Sequence, residues 1–197
     1  MKPEENKNKR YTYADCISWT EGYRCEIIHG VAQELPPVYT AHAKVCTNLS
    51  GLLFSLIEMN DCKCNVYAGI FDVRLPKNGE VAYDKIDTVV QPDICVICDQ
   101  SKLDDLGCCG APDMIVEILS PLTCRKDIVE KFTLYEEFGV KEYWVVFPND
   151  KAVTVFLLQP DGKYSEGTTY EIIYGAKKVP VKTLEGLVID LEELFEL

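Results

Sequence analysis

Residues 110–131 read GAPDMIVEILSPLTCRKDIVEK, an apolar run that a single acid interrupts and that a helical pattern follows. The apolar run spans residues 114–119, a length that is short for a helix and typical of a strand buried on both faces. Glu117 lies inside this run. An ionised carboxylate in such a place costs several kcal/mol unless it is paired. We therefore expect Glu117 to meet a metal ion, a cation or a set of hydrogen-bond donors.

A second apolar stretch, TVVQPDICVIC at residues 88–98, also contains one acid, Asp93. The composition of this stretch predicts another buried strand. If the two strands are neighbours, the carboxylates of Asp93 and Glu117 lie side by side. Carboxylate oxygens are ligands that hard divalent cations prefer, so the pair is a candidate metal site.

A helix is predicted over residues 123–138, where apolar side chains recur at helical spacing and Gly139 follows as a C-terminal cap. Asp127 and Lys131 are four residues apart in this helix and share one face. From that face Lys131 can reach back toward the strand ends. The sequence thus predicts that two acids and a lysine converge.

Structural explanations compete with this interpretation. A lone acid in a strand is more often a strand-end residue that is paired with a backbone donor or an arginine. An exposed pair such as Asp127 and Lys131 is ordinary on a helix and contributes only about 0.3–0.5 kcal/mol. The charged residues alone do not decide between a catalytic site and a structural network.

The 197 residues suit one domain with a sizeable core, and 47% hydrophobic with 26% charged residues is ordinary for a soluble globular protein. No apolar stretch approaches the length of a membrane-spanning helix, and residues 1–10 lack the apolar core of a signal peptide. We therefore expect a cytoplasmic protein with no membrane association. The net charge of -12 argues against a broad basic surface for nucleic acid.

Ten cysteines raise the question of a zinc site or of disulfides. Cys95 and Cys98 have the C-x-x-C spacing, but they lie in a predicted strand, where residues three apart point to opposite faces. Two other close pairs, at 62–64 and 108–109, lack a second pair at zinc-ribbon spacing. Without a secretory signal the thiols are expected to be reduced, and most of the cysteines to be small buried residues.

The segments around this centre predict the remaining elements. Residues 1–10 are interpreted as a disordered leader. The first hairpin contains Glu26, for which a position on the wet face is the simplest structural explanation. Amphipathic spacing predicts a long helix from Thr40 to Met59, with His42 exposed in its first turn. Further strands are predicted at residues 66–75, 142–147 and 164–174, and a closing strand and helix at 184–197.

Motifs along the chain resemble those of one family. The central ones are QPDI at 91–94, G-x-P-D-x-x-x-E-I-L-S-P at 110–121, D-x-x-x-K-x-x-x-Y at 127–135 and GVKEYW at 139–144. This series resembles the Uma-type family of restriction endonuclease-like proteins, long carried as a domain of unknown function and grouped with the PD-(D/E)XK nuclease superfamily. EIIHG at 26–30, with Pro37 and His42, and LEGLVIDLEELF at 184–195 are similar to that family's opening and closing signatures. The resemblance covers residues 11–197.

What the resemblance implies is an α/β (α+β) fold, a restriction endonuclease-like mixed β-sheet flanked by helices in a single domain. Asp93 and Glu117 would be the metal-binding carboxylates of the superfamily's core. The superfamily's usual lysine, two residues after the strand acid, would fall at Leu119, which cannot serve. Lys131 on the next helix is the candidate in its place, and Glu26 is the candidate auxiliary acid.

The activity that the resemblance implies is a metal-dependent endonuclease, with Mg²⁺ or Mn²⁺ as cofactor, that hydrolyses the phosphodiester bonds of DNA. A homodimer is expected, because cleavage of both strands by one site per chain calls for two chains. Two alternatives remain open. One is a catalytically inactive nuclease fold that serves as a binding or interaction module, and the other is a buried network with a purely structural role.

Overall fold

The computed structural model describes residues 9–19, 24–120 and 127–196, without the side chains of residues 127 and 128. Most of the predicted leader therefore lies outside the described residues. None of the described helices has both the length and the apolar character needed to cross a lipid bilayer.

The described chain alternates between short strands and a few helices. The strands are β1 Cys25–Ile28, β2 Val31–Glu34, β3 Asn65–Ala68, β4 Val73–Arg74, β5 Val89–Val90, β6 Ile94–Ile97, β7 Leu103–Asp104, β8 Gly107–Cys109, β9 Met114–Ile118, β10 Glu142–Phe147, β11 Ala152–Leu157, β12 Thr168–Glu171, β13 Lys178–Val181 and β14 Leu187–Asp190. The α-helices are α1 Tyr13–Cys16, α2 Thr40–Met59, α3 Phe132–Phe138 and α4 Leu191–Phe195. Single 3₁₀ turns span Lys77–Gly79, Gln100–Lys102 and Ile172–Tyr174, and a π-helical turn spans Asp127–Lys131.

The described residues form two compact units. Unit 1 takes its residues from 1–37, 70–91 and 101–111, and unit 2 from 38–69, 92–100 and 112–197. The chain therefore passes between the units several times.

Unit 1 contains a six-stranded sheet in the order β2-β1-β5-β4-β8-β7. β4 and β8 run parallel, and the other pairs run antiparallel. A small apolar cluster of Tyr13, Ile86 and Val89 packs inside the unit. Arg74 is 1% exposed; it pairs with Asp104, and its guanidinium lies 5.2 Å from the centre of the Tyr13 ring.

Unit 2 contains a second six-stranded sheet in the order β12-β11-β10-β9-β6-β3. β9 and β10 are parallel neighbours whose connection includes α3, and the remaining pairs are antiparallel. Every residue of β9 and all but the last residue of β10 are buried. The predicted mixed sheet, with central strands buried on both faces, is confirmed.

Helix α2 packs its apolar stripe into the core of unit 2. Val45, Leu49, Leu53 and Ile57 recur every four residues and are at most 3% exposed. They join one cluster with side chains of the sheet, of the β13–β14 hairpin and of α4. The predicted helix from Thr40 to Met59 is confirmed.

Two predicted strands are wrong in the same way, because each is divided between the units. Residues 66–75 form β3 in unit 2 and β4 in unit 1, separated at Gly69, whose φ of 90° does not suit a strand. Residues 88–98 form β5 in unit 1 and β6 in unit 2, separated around Pro92. The predicted strand at 164–174 contracts to β12. Of the predicted helix at 123–138, residues 123–126 lie outside the described residues.

Candidate active site

Two carboxylates lie at adjacent positions of the sheet in unit 2. β6 and β9 are antiparallel, and Ile94 lies opposite Val116. Asp93 directly precedes Ile94, and Glu117 directly follows Val116, so the two acids occupy the next position of the register. Opposite residues of an antiparallel pair project from the same face. Asp93 Oδ2 also accepts the backbone N–H of Ile118 at 2.7 Å, which ties the first acid to the strand that carries the second.

Lys131 supplies a positive charge to this acid pair. It ends the π-helical turn before α3, and its Nζ lies 2.9 Å from Glu117 Oε1. The two side chains are only 6% and 7% exposed, so the ion pair is buried. Leu119, two residues after Glu117, is a buried apolar side chain. The lysine therefore reaches the acid from the helical segment that follows the strand.

Tyr135 contacts the same oxygen of Glu117. Its hydroxyl donates to Glu117 Oε1 at 2.6 Å. The ring is fully buried and packs edge-on against Tyr143, with 5.2 Å between ring centroids. In the sequence, Tyr135 is apparent only as an apolar helix position and as the last residue of the D-x-x-x-K-x-x-x-Y motif. Its place four residues after Lys131 was the available signal that the two share a helical face.

His42 contacts the other acid. Its Nε2 lies 3.0 Å from Asp93 Oδ2, and its side chain is 13% exposed. The expectation that His42 is exposed is therefore wrong. The ring's Nδ1 is buried and has no hydrogen-bond partner among the described residues. Apart from its place in the family's opening signature, no feature of the sequence indicated this contact.

Cys46, one helical turn after His42, lies against the backbone of Asp93. Its Sγ is 3.7 Å from the Asp93 carbonyl oxygen. Burial, with a further contribution from the Asp93 charge, raises the pKa of Cys46 to about 11. Without a bound cation the thiol is therefore protonated near neutral pH and acts as a weak donor to the Asp93 carbonyl oxygen.

Glu26 lies in β1 of unit 1, whereas Asp93, Glu117 and Lys131 lie in unit 2. Glu26 is 3% exposed, so the simple explanation that it occupies a wet face is wrong. Its Oε1 accepts the backbone N–H of Gln91 at 2.9 Å. Its role as an auxiliary acid stays a prediction. The side chain of Asp127 lies outside the described residues.

One pair of cysteines forms a disulfide bond. Cys64 and Cys98 are joined by a disulfide, so the expectation of reduced thiols is wrong for them. Cys64 precedes β3 and Cys98 follows β6, so the bond links the ends of two neighbouring strands. Cys95, the other member of the C-x-x-C pair, is buried and forms no disulfide.

A mixed sheet with acids at adjacent strand positions and a lysine from the following helix defines a protein of the restriction endonuclease-like fold. This chain belongs to the Uma2 family, whose description is "Putative restriction endonuclease" and whose pattern matches residues 13–192. The predicted family is thereby confirmed. The fold is similar to the crystal structure of a putative nuclease belonging to DUF820 from Anabaena variabilis, with a TM-score of 0.72, 18% sequence identity and coverage of 94% of this chain and 97% of that chain. No curated protein matches the chain significantly.

Proposed function

We propose that this protein is a metal-dependent endodeoxyribonuclease that hydrolyses phosphodiester bonds of DNA. The observation that carries the proposal is the convergence of Asp93, Glu117 and Lys131. Glu117 lies in β9, Asp93 directly precedes the neighbouring strand β6, and a buried ammonium group lies 2.9 Å from Glu117. Membership of a family described as "Putative restriction endonuclease" supports the same activity.

The donor set of the site fits Mg²⁺ or Mn²⁺. Across the described ranges, no group of three or more His, Cys, Asp or Glu side chains is arranged to hold a metal ion. Magnesium, however, keeps several water molecules and commonly uses only one or two protein carboxylates. Asp93 and Glu117 can therefore hold it, and their oxygens are its preferred ligands.

Hydrolysis forms a bond between the oxygen of water and phosphorus, and breaks the bond from phosphorus to the leaving oxygen. One product then ends in a phosphate and the other in a hydroxyl group. A bound divalent cation supplies positive charge to the phosphate oxygens and makes water more acidic. Lys131 keeps an ammonium group beside Glu117, where it orients the water or neutralises the charge that develops on the phosphate.

A plasmid-nicking assay tests this activity. Supercoiled DNA is incubated with Mg²⁺ or Mn²⁺ and with the wild type, Glu117→Gln, Lys131→Met or Lys141→Met. Lys141 is a matched control, because it also pairs with a carboxylate of unit 2, at 2.7 Å from Asp113, yet its side chain is 71% exposed. We expect metal-dependent nicking by the wild type and Lys141→Met, and its loss in the other two.

Other outcomes of this assay separate the alternatives. Equal activity in all four proteins would identify a contaminating nuclease. If none of the four cleaves DNA while calorimetry still detects a bound cation, the catalytically inactive binding module becomes the better description. That alternative is favoured by the net charge of -12.

A homodimer remains part of the proposal for cleavage of double-stranded DNA. One site of this kind cuts one strand, so two chains are needed to cut both strands at one place. Sedimentation equilibrium with and without a DNA duplex measures the stoichiometry. A monomer that linearises plasmid in a single binding event would contradict a dimer.

A further inference from the structure

Each acid of the site accepts two hydrogen-bond donors on the same oxygen atom. Glu117 Oε1 accepts from Lys131 Nζ at 2.9 Å and from Tyr135 Oη at 2.6 Å. Asp93 Oδ2 accepts from the Ile118 N–H at 2.7 Å and lies 3.0 Å from His42 Nε2. Two donors on one oxygen fix the rotation of a carboxylate, because turning the group would break both bonds.

The donors come from elements that are themselves held in place. Tyr135 is fully buried in α3, where its ring packs against Tyr143. His42 lies in the first turn of the long helix α2, whose apolar stripe lies in the core of unit 2. Neither side chain can follow a carboxylate that rotates toward solvent. Both therefore hold the acids where the fold places them.

The contact between His42 and Asp93 also indicates which ring nitrogen of His42 carries the proton. A carboxylate accepts and does not donate, so Nε2 carries the proton in this contact. In the neutral ring Nδ1 is then the acceptor, and it is buried away from solvent without a partner in the described part of the chain. A group buried this way does not contact a DNA phosphate directly. His42 acts through Asp93.

We propose, on the basis of the nuclease function above, that Tyr135 and His42 are positioning residues that orient Glu117 and Asp93 for the cation before it binds. A carboxylate that is already oriented does not lose side-chain freedom when a ligand arrives, so affinity rises. Partners of this kind typically contribute about 10–100-fold to metal affinity. Neither residue touches the reacting phosphate.

Tyr135→Phe tests the proposal at Glu117. The variant removes only the hydroxyl group and retains the ring. Tyr164→Phe is the matched control, because its hydroxyl is also buried, in the same aromatic cluster, but donates to the Val140 carbonyl oxygen at 2.8 Å. Titration calorimetry with MnCl₂ measures cation binding without any cleavage. We expect the Mn²⁺ dissociation constant to rise about 10–100-fold in Tyr135→Phe and to stay within about twofold in Tyr164→Phe.

His42→Gln and His42→Ala test the proposal at Asp93. Glutamine offers an N–H at nearly the distance of Nε2, whereas alanine offers none. We expect the Mn²⁺ dissociation constant of His42→Ala to rise about 10–100-fold and that of His42→Gln to rise less than about threefold. Circular dichroism and thermal unfolding of each variant establish that it is folded before titration.

A second readout separates positioning from catalysis. At saturating Mn²⁺ we expect Tyr135→Phe to recover the wild-type cleavage rate within about fivefold, because the cation itself then holds the acid. A rate that stays low at saturation would overturn the positioning role. So would a Mn²⁺ affinity that is unchanged in both Tyr135→Phe and His42→Ala.

The same titrations distinguish failure of this inference from failure of the nuclease function. A wild type that binds Mn²⁺ but cleaves no DNA would refute the proposed nuclease function. The calorimetric comparison of the variants would still support or refute the positioning role. A wild type that binds no cation would refute both. Cleavage with unaltered cation affinity in the variants would refute the positioning role alone.

Discussion

The backbone N–H of Ile118 donates to Asp93 Oδ2 at 2.7 Å, although the two residues are 25 positions apart in the chain. Asp93 thus has a structural contact as well as a proposed cation-binding one. Asp93→Asn separates these roles, because the amide oxygen can still accept the N–H while the negative charge is lost. We expect the melting temperature to change by only a few degrees. Cleavage should fall about 100-fold or more, since several kcal/mol of charge stabilisation are removed.

Asp93→Ala is expected to be less stable than Asp93→Asn. Alanine leaves the Ile118 N–H and His42 Nε2 without their acceptor, so the protein should lose a further 1–3 kcal/mol, roughly, in its free energy of unfolding. Urea denaturation of both variants measures this difference. Equal stability of the two would mean that the Asp93 contacts contribute little to folding.

Lys131→Met is expected to destabilise the protein in the absence of metal. It leaves the buried carboxylate of Glu117 without its ammonium partner, and breaking such a pair costs about 3–5 kcal/mol. Adding Glu117→Gln to this variant removes the remaining charge and should restore most of the loss. Urea denaturation in EDTA compares the single and double variants. A double variant as unstable as Lys131→Met would show that burial of the Glu117 charge is not the cause.

Glu142, in the GVKEYW motif, is expected to serve the fold and not the reaction. It is 1% exposed and accepts from Trp144 Nε1 at 2.8 Å and from the backbone N–H groups of Lys182 and Thr183 at 3.1 and 2.6 Å. Glu142→Ala leaves these donors without an acceptor, at a cost of about 3 kcal/mol or more. Denaturation measures the loss. The Mn²⁺ dissociation constant of the folded variant should match that of the wild type; a large rise would connect Glu142 to the site.

Asp104 is expected to make part of the stability sensitive to acid. The hydrogen bond from Arg74 lowers the pKa of Asp104 below its usual value of 3.8. A carboxyl group whose pKa is lowered by folding stabilises the native state above its unfolded pKa, and this contribution is lost as the pH falls through the folded pKa. We therefore expect the wild type to be more stable than Asp104→Asn at pH 5 and the two to converge below about pH 4. Urea midpoints between pH 5 and pH 2 measure this convergence, and a constant difference would contradict it.

The spacing of apolar residues predicted those helices and strands that keep a single pattern along their whole length. The stripe of α2 and the buried runs of β9 and β10 were found this way. The strand prediction at 66–75 was wrong because periodicity does not report where a chain leaves one sheet for another. Gly69, with its positive φ, was the residue that marked the break.

The site was only partly visible in the sequence for a similar reason. Glu117 stood out because its surroundings are apolar, and the helical spacing of Lys131 suggested where that lysine could reach. His42 meets Asp93 through the packing of α2, a contact that no local pattern encodes. Glu26 was predicted to face solvent, because the alternation of polar and apolar residues in a hairpin does not reveal which face is buried in the folded protein.

The contact of α2 with α4 bears on the order of events during protein synthesis. Leu191, Leu194 and Phe195 belong to the same core cluster as the stripe of α2, and Asn48 in α2 donates to the carbonyl oxygen of Leu194 at 3.0 Å. A ribosome-bound chain that has already emerged past Lys131 therefore holds both acids and the lysine but lacks the packing that fixes α2 and its His42. Because domains complete their cores as units, we expect nascent chains to gain their full cation affinity only after residue 195 has emerged. Synthesis itself would then delay tight binding of the cation, and with it the proposed cleavage of DNA, until translation of this region is finished.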